Sequence, residues 1–558
     1  MKKKQQTEER VKIIPLGGLD QIGMNITLFE YKNDIIIIDC GLAFPDEEML
    51  GIDIVIPDFS YLKQNQDRVR GLIVTHGHED HIGAIPYLLK ELNIPVYGSR
   101  LTLGLVENKL REHKILERCK LKSVGMGQSV RLGKFRTEFI RTNHSIPDAA
   151  AIAIHTPIGV LIHSGDFKVD YTPIYGKAID MHRLAELGRE GVLALMADST
   201  NVLREGYTMS ESTVGKSFDT IFNENKGRRL IVATFASNVD RVQQIINSAR
   251  SHRRKVAVEG RSMVNVVTTA QELGYIKMPK NMLISSDELD NYKDSQVVII
   301  TTGSQGEPLS ALSRMANNTH RKISIKEGDM VILSSKPIPG NEKYVARVIN
   351  GLYKKGADVV YEDTHVSGHA CREELKLLHT LVRPKYFIPV HGEYRHLKSH
   401  QELAVELGMQ KKDVYILENG NVFALGPDGG EVIDKVSVET VLVDGLGVGD
   451  VGDVVLRDRQ KLSQEGLIVV SIAVNKYTNQ ILTSPEIVSR GFTYVKENTS
   501  LMEDIKEIVR RSLEKTTLKN INDWTKIKTI IRDDIREYLW IHLKRSPMVL
   551  PILMQVDN

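Results

Sequence analysis

The sequence THGHEDHIG, residues 75–83, concentrates metal-binding side chains in one short stretch: three histidines and Asp80 lie within six positions. The apolar residues 72–74 before it predict a strand, and the pattern of residues 82–92 predicts a helix. We therefore expect the cluster on a strand-to-helix loop, where open α/β sheets hold their ligands. Histidine and aspartate at this density indicate a site for divalent metal ions.

The composition is typical of a soluble globular protein with two to four domains: 558 residues, 41% of them hydrophobic and 26% charged. No apolar run approaches the ~20 residues that span a bilayer, and none follows the lysine-rich start, so we expect neither a membrane span nor a secretory signal. The cysteines are few, odd in number and far apart. This pattern of Cys40, Cys119 and Cys371 predicts a reducing cytoplasm and no disulfide framework. It also predicts that the metal ligands are nitrogen and oxygen atoms only.

The overall charge permits a polyanionic substrate without requiring one, because the formal net charge is only +3. The densest basic run is RSHRRK at residues 250–255. Such a run is either solvated surface, which is the commoner case, or a contact for a polyanion.

Two different patterns of strands and helices divide the first three quarters of the chain. Residues 11–199 are rich in predicted strands, which favours an αββα sandwich. The predicted strands are 13–15, 24–30, 35–39, 72–75, 135–142 and 160–163. Residues 202–363 alternate strands with helices, which favours a parallel, doubly wound sheet. Its predicted strands are 229–234, 255–259, 296–301, 330–334 and 357–361, and its predicted helices include 238–251 and 342–355.

A further strand at residues 385–390 ends in His391-Gly392-Glu393, so metal-binding chemistry resumes after the doubly wound segment. The simplest interpretation is that the second domain is inserted into the first. A glycine- and aspartate-rich stretch at 443–453 then predicts a linker. Predicted helices at 501–515 and 521–542 and a strand at 548–554 indicate a small C-terminal α+β module. The expected limits are 1–204 and 361–425 for the first domain, 205–360 for the insertion, 426–452 for the linker and 453–558 for the module.

Three more metal-competent side chains each follow an apolar run directly: His144, Asp166 and His391. Zinc accepts histidine nitrogen and carboxylate oxygen as ligands. Two neighbouring ions would use several imidazoles and a bridging carboxylate, which these residues and the first cluster together supply. The alternative, that the histidines are hydrogen-bonded loop residues, is the usual one for isolated histidines and a poor one for this cluster.

The combination HxHxDH at 76–81, with the later His144, Asp166 and His391, resembles the metallo-β-lactamase superfamily. The insertion before the last histidine narrows the resemblance to the β-CASP nucleases. Three further stretches match that group: DST at 198–200, HVSGH at 365–369 and PVHGE at 389–393. Together with the C-terminal module, nearly the whole chain is similar to the bacterial ribonuclease J family. The implied fold is a metallo-β-lactamase αββα sandwich with an inserted doubly wound β-CASP domain and a small C-terminal α+β domain.

The resemblance implies two divalent ions, with zinc as the first candidate and manganese as the second. One would be held by His76, His78 and His144, the other by Asp80, His81 and His391, with Asp166 as the bridge. Asp80 then belongs to the catalytic set as well. His369 would be the acid that protonates the leaving oxygen, and Asp198 would orient or charge it. The alternatives are an ordinary loop histidine and a helix-cap aspartate.

The same resemblance makes residues 365–369 the substrate-binding loop, with His365, Val366, Ser367, Gly368 and His369 around the 5′-phosphate of RNA. Residues 301–307 (TTGSQGE) are either a contact for the RNA backbone or a plain turn. Some relatives hold a structural cation, with calcium as the candidate here, at the positions of Gly51, Asp53 and Asp444. The alternative, exposed acidic loop residues, is slightly favoured.

The implied activity is a metal-dependent ribonuclease, 5′→3′ exonucleolytic with preference for a 5′-monophosphate and also endonucleolytic, acting in mRNA decay and rRNA maturation. Implied partners are single-stranded RNA, a second copy of the chain in a homodimer or homotetramer, a paralogous subunit and an RNA decay assembly. Three alternatives stay open: a DNA nuclease, a small-molecule hydrolase, and a catalytically weak RNA-binding scaffold. The choice between RNA and DNA depends on contacts to the 2′-hydroxyl, which a sequence does not display.

Overall fold

The structure is a computed structural model that describes residues 9–338, 341–361, 364–475, 482–492, 499–518 and 523–556. The chain divides into two compact units. One consists of Met1–Ala43 and Val55–Val441, and the other of Phe44–Ile54 and Leu442–Asn558.

Up to the insertion, the described residues form twelve strands and five α-helices. The strands are β1 (Val11–Gly17), β2 (Ile26–Tyr31), β3 (Asp34–Ile38), β4 (Ile54–Ile56), β5 (Val69–Ile73), β6 (Pro95–Gly98), β7 (Lys120–Ser123), β8 (Ser129–Leu132), β9 (Phe135–Arg141), β10 (Ala150–Thr156), β11 (Gly159–His163) and β12 (Val192–Asp198). The helices are α1 (Ser60–Gln64), α2 (Glu79–Ile82), α3 (Ile85–Glu91), α4 (Arg100–Glu112) and α5 (Met181–Glu190).

The insertion then forms one parallel sheet of six strands in the order β15-β14-β16-β13-β17-β18, as the alternating pattern predicts. The strands are β13 (Leu230–Ala233), β14 (Lys255–Glu259), β15 (Leu283–Ile284), β16 (Val297–Thr301), β17 (Met330–Leu333) and β18 (Asp358–Val360). The helices are α6 (Ser212–Glu224), α7 (Val239–Ser251), α8 (Arg261–Glu272), α9 (Ala311–Ala316) and α10 (Glu342–Tyr353).

The chain then returns to the sandwich, which confirms the insertion. The returning elements are α11 (Arg372–Val382), β19 (Tyr386–Val390), α12 (Tyr394–Glu406), β20 (Asn421–Gly426) and β21 (Gly429–Lys435). Strand β19 pairs in parallel with β12 in the sheet β19-β12-β11-β10-β9-β8, while β20 and β21 complete the sheet β21-β20-β1-β2-β3-β5-β6-β7. Because Asp198 pairs with Val390, the carboxyl ends of β12 and β19 lie side by side, and His391 follows directly.

The core between these two sheets buries one face of their central strands. Side chains of both sheets, among them Phe29, Phe139, Ile152 and Phe423, form one buried cluster. Strands β2, β3 and β12 are buried along their whole length, as expected for strands covered on both faces.

One predicted element is divided in the structure. Residues 82–92, expected as one helix, belong to the short α2 and to α3, with Gly83 and Ala84 between them. Pro86 lies in the first turn of α3, where its missing N–H costs no hydrogen bond, although it could not continue the preceding turn. A Cβ on Gly41 would lie 1.6 Å from the carbonyl oxygen of Asp80, so α2 approaches the chain after β3 closely.

The second unit confirms the small α+β module. Its elements are β22 (Val441–Asp444), β23 (Gly447–Val448), α13 (Asp453–Glu465), β24 (Leu467–Asn475), β25 (Glu486–Arg490), α14 (Thr499–Leu518), α15 (Trp524–Leu543) and β26 (Met548–Val556). Strand β24 lies between β25 and β26. Its buried face packs on both long helices through Ile468, Val470, Ile505 and Ile531. The predicted start of the last helix, residue 521, lies outside the described residues.

The linker prediction for residues 426–452 is wrong, because this stretch contains paired strands. Strand β21 pairs with β20, and β22 pairs with β23 across a turn at Gly445, whose φ is +57°. Glycine and aspartate are typical of flexible linkers and of tight hairpin turns alike, so composition does not separate the two. No described helix is long and apolar enough to cross a membrane.

Candidate metal centre and active site

Three histidine rings converge just beyond the end of β5. The Nδ1 atom of His78 lies 3.1 Å from Nε2 of His76 and 3.0 Å from Nε2 of His144. The backbone N–H and the hydroxyl of Thr75 donate to the carboxylate of Asp39 at 2.7 and 2.8 Å, which fixes the start of the histidine loop. Three ring nitrogens directed at one point form a nitrogen ligand set for one cation.

The third ring of this group is held by the backbone of the predicted substrate-binding loop. The carbonyl oxygen of Gly368 accepts a hydrogen bond from Nδ1–H of His144 at 2.7 Å. This contact sets the tautomer, because it leaves the lone pair of Nε2 facing His78. A Cβ on Gly368 would lie 2.6 Å from two ring atoms of His144 and 2.9 Å from the Ser145 hydroxyl, so only glycine allows this approach.

Gly368→Ala is therefore expected to displace His144 and weaken metal binding about 10–100-fold, the usual effect of losing an outer-shell partner. Competition between the protein and a chelator of known affinity measures the change. Gly227→Ala is the matched control, because a Cβ at Gly227 meets nothing within 4 Å. Unchanged metal affinity in Gly368→Ala would show that the loop does not position this ligand.

A second group, of two carboxylates and two imidazoles, lies beside the first. Oδ2 of Asp80 is 3.2 Å from Nε2 of His391 and 3.4 Å from Nε2 of His81. Oδ2 of Asp166 is 3.3 Å from the same atom of His81, and Oδ1 of Asp166 is 3.6 Å from Nδ1 of His391. Their ligand atoms form a mixed nitrogen and oxygen set of the kind that divalent zinc or manganese accepts.

Asp166 is the residue that connects the two groups. Besides its contact with His81, its Oδ2 lies 3.8 Å from Nε2 of His76 and 3.7 Å from Nε2 of His144. The side chain is 3% exposed. A buried carboxylate surrounded by imidazoles of both groups fits a pair of neighbouring cations, whose charge would compensate its own.

The two groups differ in protonation. Burial lowers the pKa values of His76, His78 and His144, to about 4 for His78. These rings are therefore neutral and suited to metal coordination. Burial also opposes the charged form of His391, but the carboxylates of Asp166, Asp198 and Asp80 outweigh it and raise the pKa to about 10. A cation entering the second group must therefore displace protons, which couples metal affinity to pH.

Several supporting residues were missed by the sequence analysis. The carboxylate of Asp39 accepts from Nδ1–H of His81 at 2.8 Å, and Asn25 Nδ2 donates to the carbonyl oxygen of Asp80 at 3.1 Å. Thr200 Oγ1 lies 2.8 Å from Nδ1 of His391, which leaves Nε2 directed at Asp80. The sequence does point to Asp39, because this residue directly follows the apolar run of β3, just as the predicted ligands His144, Asp166 and His391 follow their apolar runs. It gives no such signal for Asn25.

His369 and Asp198 form a hydrogen-bonded pair at the rim of the site. Nδ1 of His369 lies 2.7 Å from Oδ2 of Asp198, and the histidine side chain is 20% exposed, whereas Asp198 is buried. Burial alone would lower the pKa of His369, but the Asp198 carboxylate outweighs it and raises the pKa. The pair therefore holds a proton on an imidazole that solvent and substrate can reach.

The rest of the predicted substrate-binding loop offers donors to an anion. The hydroxyl oxygen of Ser367 accepts from Asn201 Nδ2 at 2.7 Å and from the backbone N–H of His369 at 3.2 Å. No acceptor among the described residues takes the Ser367 O–H, so it is free to donate. Burial, then the cations Arg241 and Lys336, lower the pKa of His365 to about 3. Val366 is buried and serves packing.

The residues predicted to hold a structural cation lie around an arginine. Arg459 donates to Asp444 at 2.5 Å and to the carbonyl oxygen of Leu50 at 2.9 Å, and its guanidinium fills the space beside Gly51. Asp53 accepts from the backbone N–H of Gly445 at 2.8 Å. This arrangement favours the acidic-loop interpretation, and the structural cation stays a prediction.

The basic run at residues 250–255 is mixed in character. Arg254 is buried and donates to the backbone carbonyls of Arg228 and Asn225, which is a structural role. Arg250 and Arg253 are exposed, in agreement with solvated surface.

Four domain families match the chain in order. They are described as the metallo-beta-lactamase superfamily (residues 20–178), the ribonuclease J beta-CASP domain (227–352), the Zn-dependent metallo-hydrolase RNA specificity domain (358–417) and the ribonuclease J C-terminal domain (454–556). A crystal structure of a protein of unknown function from Enterococcus faecalis V583 shares the fold, with a TM-score of 0.53 at 17% identity over 75% of this chain and 100% of that one.

Full-length relatives agree with these matches. Ribonuclease J2 of Bacillus subtilis is 42% identical over 99% of this chain and 100% of its own length. Ribonuclease J 1 of Streptococcus pyogenes is 43% identical over 98% of both chains, and ribonuclease J of Synechocystis is 43% identical over 100% of this chain and 88% of its own. The site, the fold and these relatives together place the chain in the ribonuclease J family of metal-dependent ribonucleases.

Proposed function

We propose that the two groups of ligands bind one divalent cation each and that the protein hydrolyses RNA phosphodiesters to 5′-phosphate and 3′-hydroxyl products. The position of Asp166 between the two groups carries this proposal. His76, His78 and His144 would hold one ion and Asp80, His81 and His391 the other, with Asp166 shared. When bound, two such ions lower the pKa of water and stabilise the charge that develops on phosphoryl oxygens. Zinc is the first candidate and manganese the second.

The chain's own contribution to bond cleavage is proton delivery. In this proposal the 3′-oxygen of the departing nucleotide takes a proton from Nε2 of His369. Its Nδ1 stays hydrogen-bonded to Asp198, which stabilises the imidazolium before transfer and fixes the direction of the ring. General acids positioned in this way contribute about 10²–10⁴-fold.

The loop at residues 365–369 would receive the 5′-monophosphate of RNA and so give the enzyme 5′→3′ exonucleolytic direction. The free O–H of Ser367 and the exposed cation Lys336, whose charge acts on His365, support this role. Internal cleavage would use the same ligands and His369 on RNA whose 5′ end lies outside the loop.

RNA with a 5′-triphosphate is expected to be degraded exonucleolytically at least about tenfold more slowly than 5′-monophosphate RNA, because a pocket sized for one phosphate excludes two more. Rates of mononucleotide release from matched end-labelled RNAs measure the difference. Ser367→Ala should reduce this difference, with Ser463→Ala as the control, because the exposed Ser463 hydroxyl donates to the backbone carbonyl oxygen of Gln460. Equal rates on both 5′ ends would remove the pocket from the proposal.

The proposal extends to the setting of the enzyme. We infer a cytoplasmic protein that acts in mRNA decay and rRNA maturation as a homodimer or homotetramer, with a paralogous subunit or an RNA decay assembly as further partners. Light scattering on the purified chain tests self-association.

The decisive assay uses the purified protein and end-labelled single-stranded RNA with a 5′-monophosphate, with and without added zinc or manganese. Release of mononucleotides from the 5′ end that a chelator blocks would support both the metal requirement and the direction. Internal cuts alone would keep the metal chemistry and discard the 5′ pocket. Binding without cleavage under either metal would contradict the proposal.

A further inference from the structure

Positive charge is concentrated on the inserted domain. Residues 205–360 contain 22 lysines and arginines against 16 aspartates and glutamates, a formal net charge of +6, whereas the whole chain carries +3. The remainder of the chain is therefore slightly acidic. Such an asymmetry gives a polyanion a preferred surface on one domain.

Part of this charge lines a groove between α9 and α10, remote in sequence from the ligand residues. Its volume is about 850 Å³. The floor is made of the small residues Gly351 and Ala316, and a Cβ added to Gly351 would lie 3.5 Å from the Cβ of Ala316. The rim carries four cations and no carboxylate: Lys343, Arg347, Lys354 and Lys355.

The cations follow one face of a helix. Lys343, Arg347, Asn350 and Lys354 recur every three or four residues along α10 and its C-terminal end, and all four are exposed. Eleven residues separate the first from the last, which is about 16 Å along a helix axis. Among the described residues, Lys343, Arg347 and Lys354 form no ion pair, whereas Lys355 donates a hydrogen bond to the side chain of Asn318. The stripe is thus a row of charges without internal compensation.

Contacts connect the start of this stripe to the proposed substrate-binding loop. A Cβ on Gly306 would lie 2.5 Å from the carbonyl carbon of Tyr344, so the loop after β16 packs on the first turn of α10. The neighbouring Gln305 donates to Ser335 at 2.9 Å. Ser334 in turn donates to the carbonyl oxygen of Thr364, next to the loop at residues 365–369.

We propose that this groove binds the phosphate backbone of single-stranded RNA outside the catalytic cleft and holds a part of the substrate that is not being cleaved. The inference rests on the proposed ribonuclease function. A periodic row of unpaired cations with amide donors suits repeated phosphates, which attract protein independently of base sequence. Large apolar anchors, which a protein partner would use, are absent from the groove lining.

The test uses the full-length protein and the triple variant Lys343→Ala/Arg347→Ala/Lys354→Ala on 5′-monophosphorylated RNAs of two lengths, a pentamer and a 30-mer. For the 30-mer we expect KM to rise at least about tenfold with kcat unchanged, and the slope of log affinity against log salt to fall by about 2, at about 0.7 per lost phosphate contact. For the pentamer we expect both constants to stay at wild-type values, which also shows that the variant is folded.

Arg250→Ala/Arg253→Ala/Lys280→Ala is the matched control, because it removes three exposed cations of the same domain. Equal effects of both variants would assign the loss to overall charge and overturn the proposal. An unchanged KM for the 30-mer would also overturn it and leave the groove to an acidic protein segment. A loss on the pentamer as well would place these residues in catalysis rather than in a separate site. Failure of the wild-type protein on both RNAs would instead contradict the proposed function.

Discussion

Asp166→Asn is expected to lower kcat by at least about 10³-fold and to abolish stoichiometric metal binding. Its Oδ2 faces imidazoles of both ligand groups at 3.3–3.8 Å, so the substitution removes negative charge from both at once. A loss of several kcal/mol of charge stabilisation corresponds to a fall in kcat of about 10³-fold, because each tenfold change in rate equals about 1.36 kcal/mol. RNA affinity should change little, because only the scissile phosphate would meet the ions, whereas the other proposed phosphate contacts lie in the loop at residues 365–369 and in the groove between α9 and α10. Elemental analysis of the dialysed protein, single-turnover cleavage and fluorescence anisotropy measure the three quantities.

Asp180→Asn is the matched control for Asp166→Asn. Asp180 accepts from the backbone N–H of Arg183 at 3.1 Å as the N-cap of α5, a role that asparagine fills equally well. Its metal content and activity should equal those of the wild type. An Asp166→Asn protein that keeps two ions and more than about a tenth of its activity would contradict the shared-ligand arrangement.

The strand-end rule explains why most of the site could be predicted. Asp166, Asp198 and His391 each lie at or just after the carboxyl end of a buried strand, and parallel strands gather such positions at one edge, whereas Asp80 lies in the short helix α2 that follows β5. His391 is 193 residues from Asp198, yet the parallel pair β12–β19 brings Nδ1 of His391 to 3.4 Å from Oδ1 of Asp198. The apolar runs are visible in the sequence, and the resemblance assigned individual ligands.

The residues that escaped prediction act through packing that only the folded chain displays. Gly368 matters because His144 lies against its Cα, a contact between loops 224 residues apart. Asn25 has no sequence pattern, since its role depends on the approach of α2 to the start of β2. The hairpin of β22 and β23 was mistaken for a linker because turns and linkers share their composition.

The second large effect concerns His369 and its partner Asp198. If the imidazolium donates the proton, activity falls as pH rises through the pKa of His369, because the deprotonated ring has nothing to give. The Asp198 carboxylate raises that pKa, so it extends activity to higher pH. Asp198→Asn removes the stabilising charge and lowers the pKa. We therefore expect the alkaline limb of kcat to move to lower pH, by about 1–3 units. The pH dependence of single-turnover cleavage measures the shift.

His369→Ala should lower kcat on ordinary RNA about 10²–10⁴-fold, the usual contribution of a general acid. A substrate whose scissile 3′-oxygen is replaced by sulfur separates proton donation from structural support. A thiolate leaves without a proton near neutral pH, since the pKa of a thiol is about 8.5. The variant should then cleave the sulfur substrate within about tenfold of the wild-type rate, and the alkaline limb should disappear for both proteins. A loss of equal size on both substrates would show that His369 positions the substrate or the ligands instead, because a leaving group that requires no proton cannot relieve a defect in geometry.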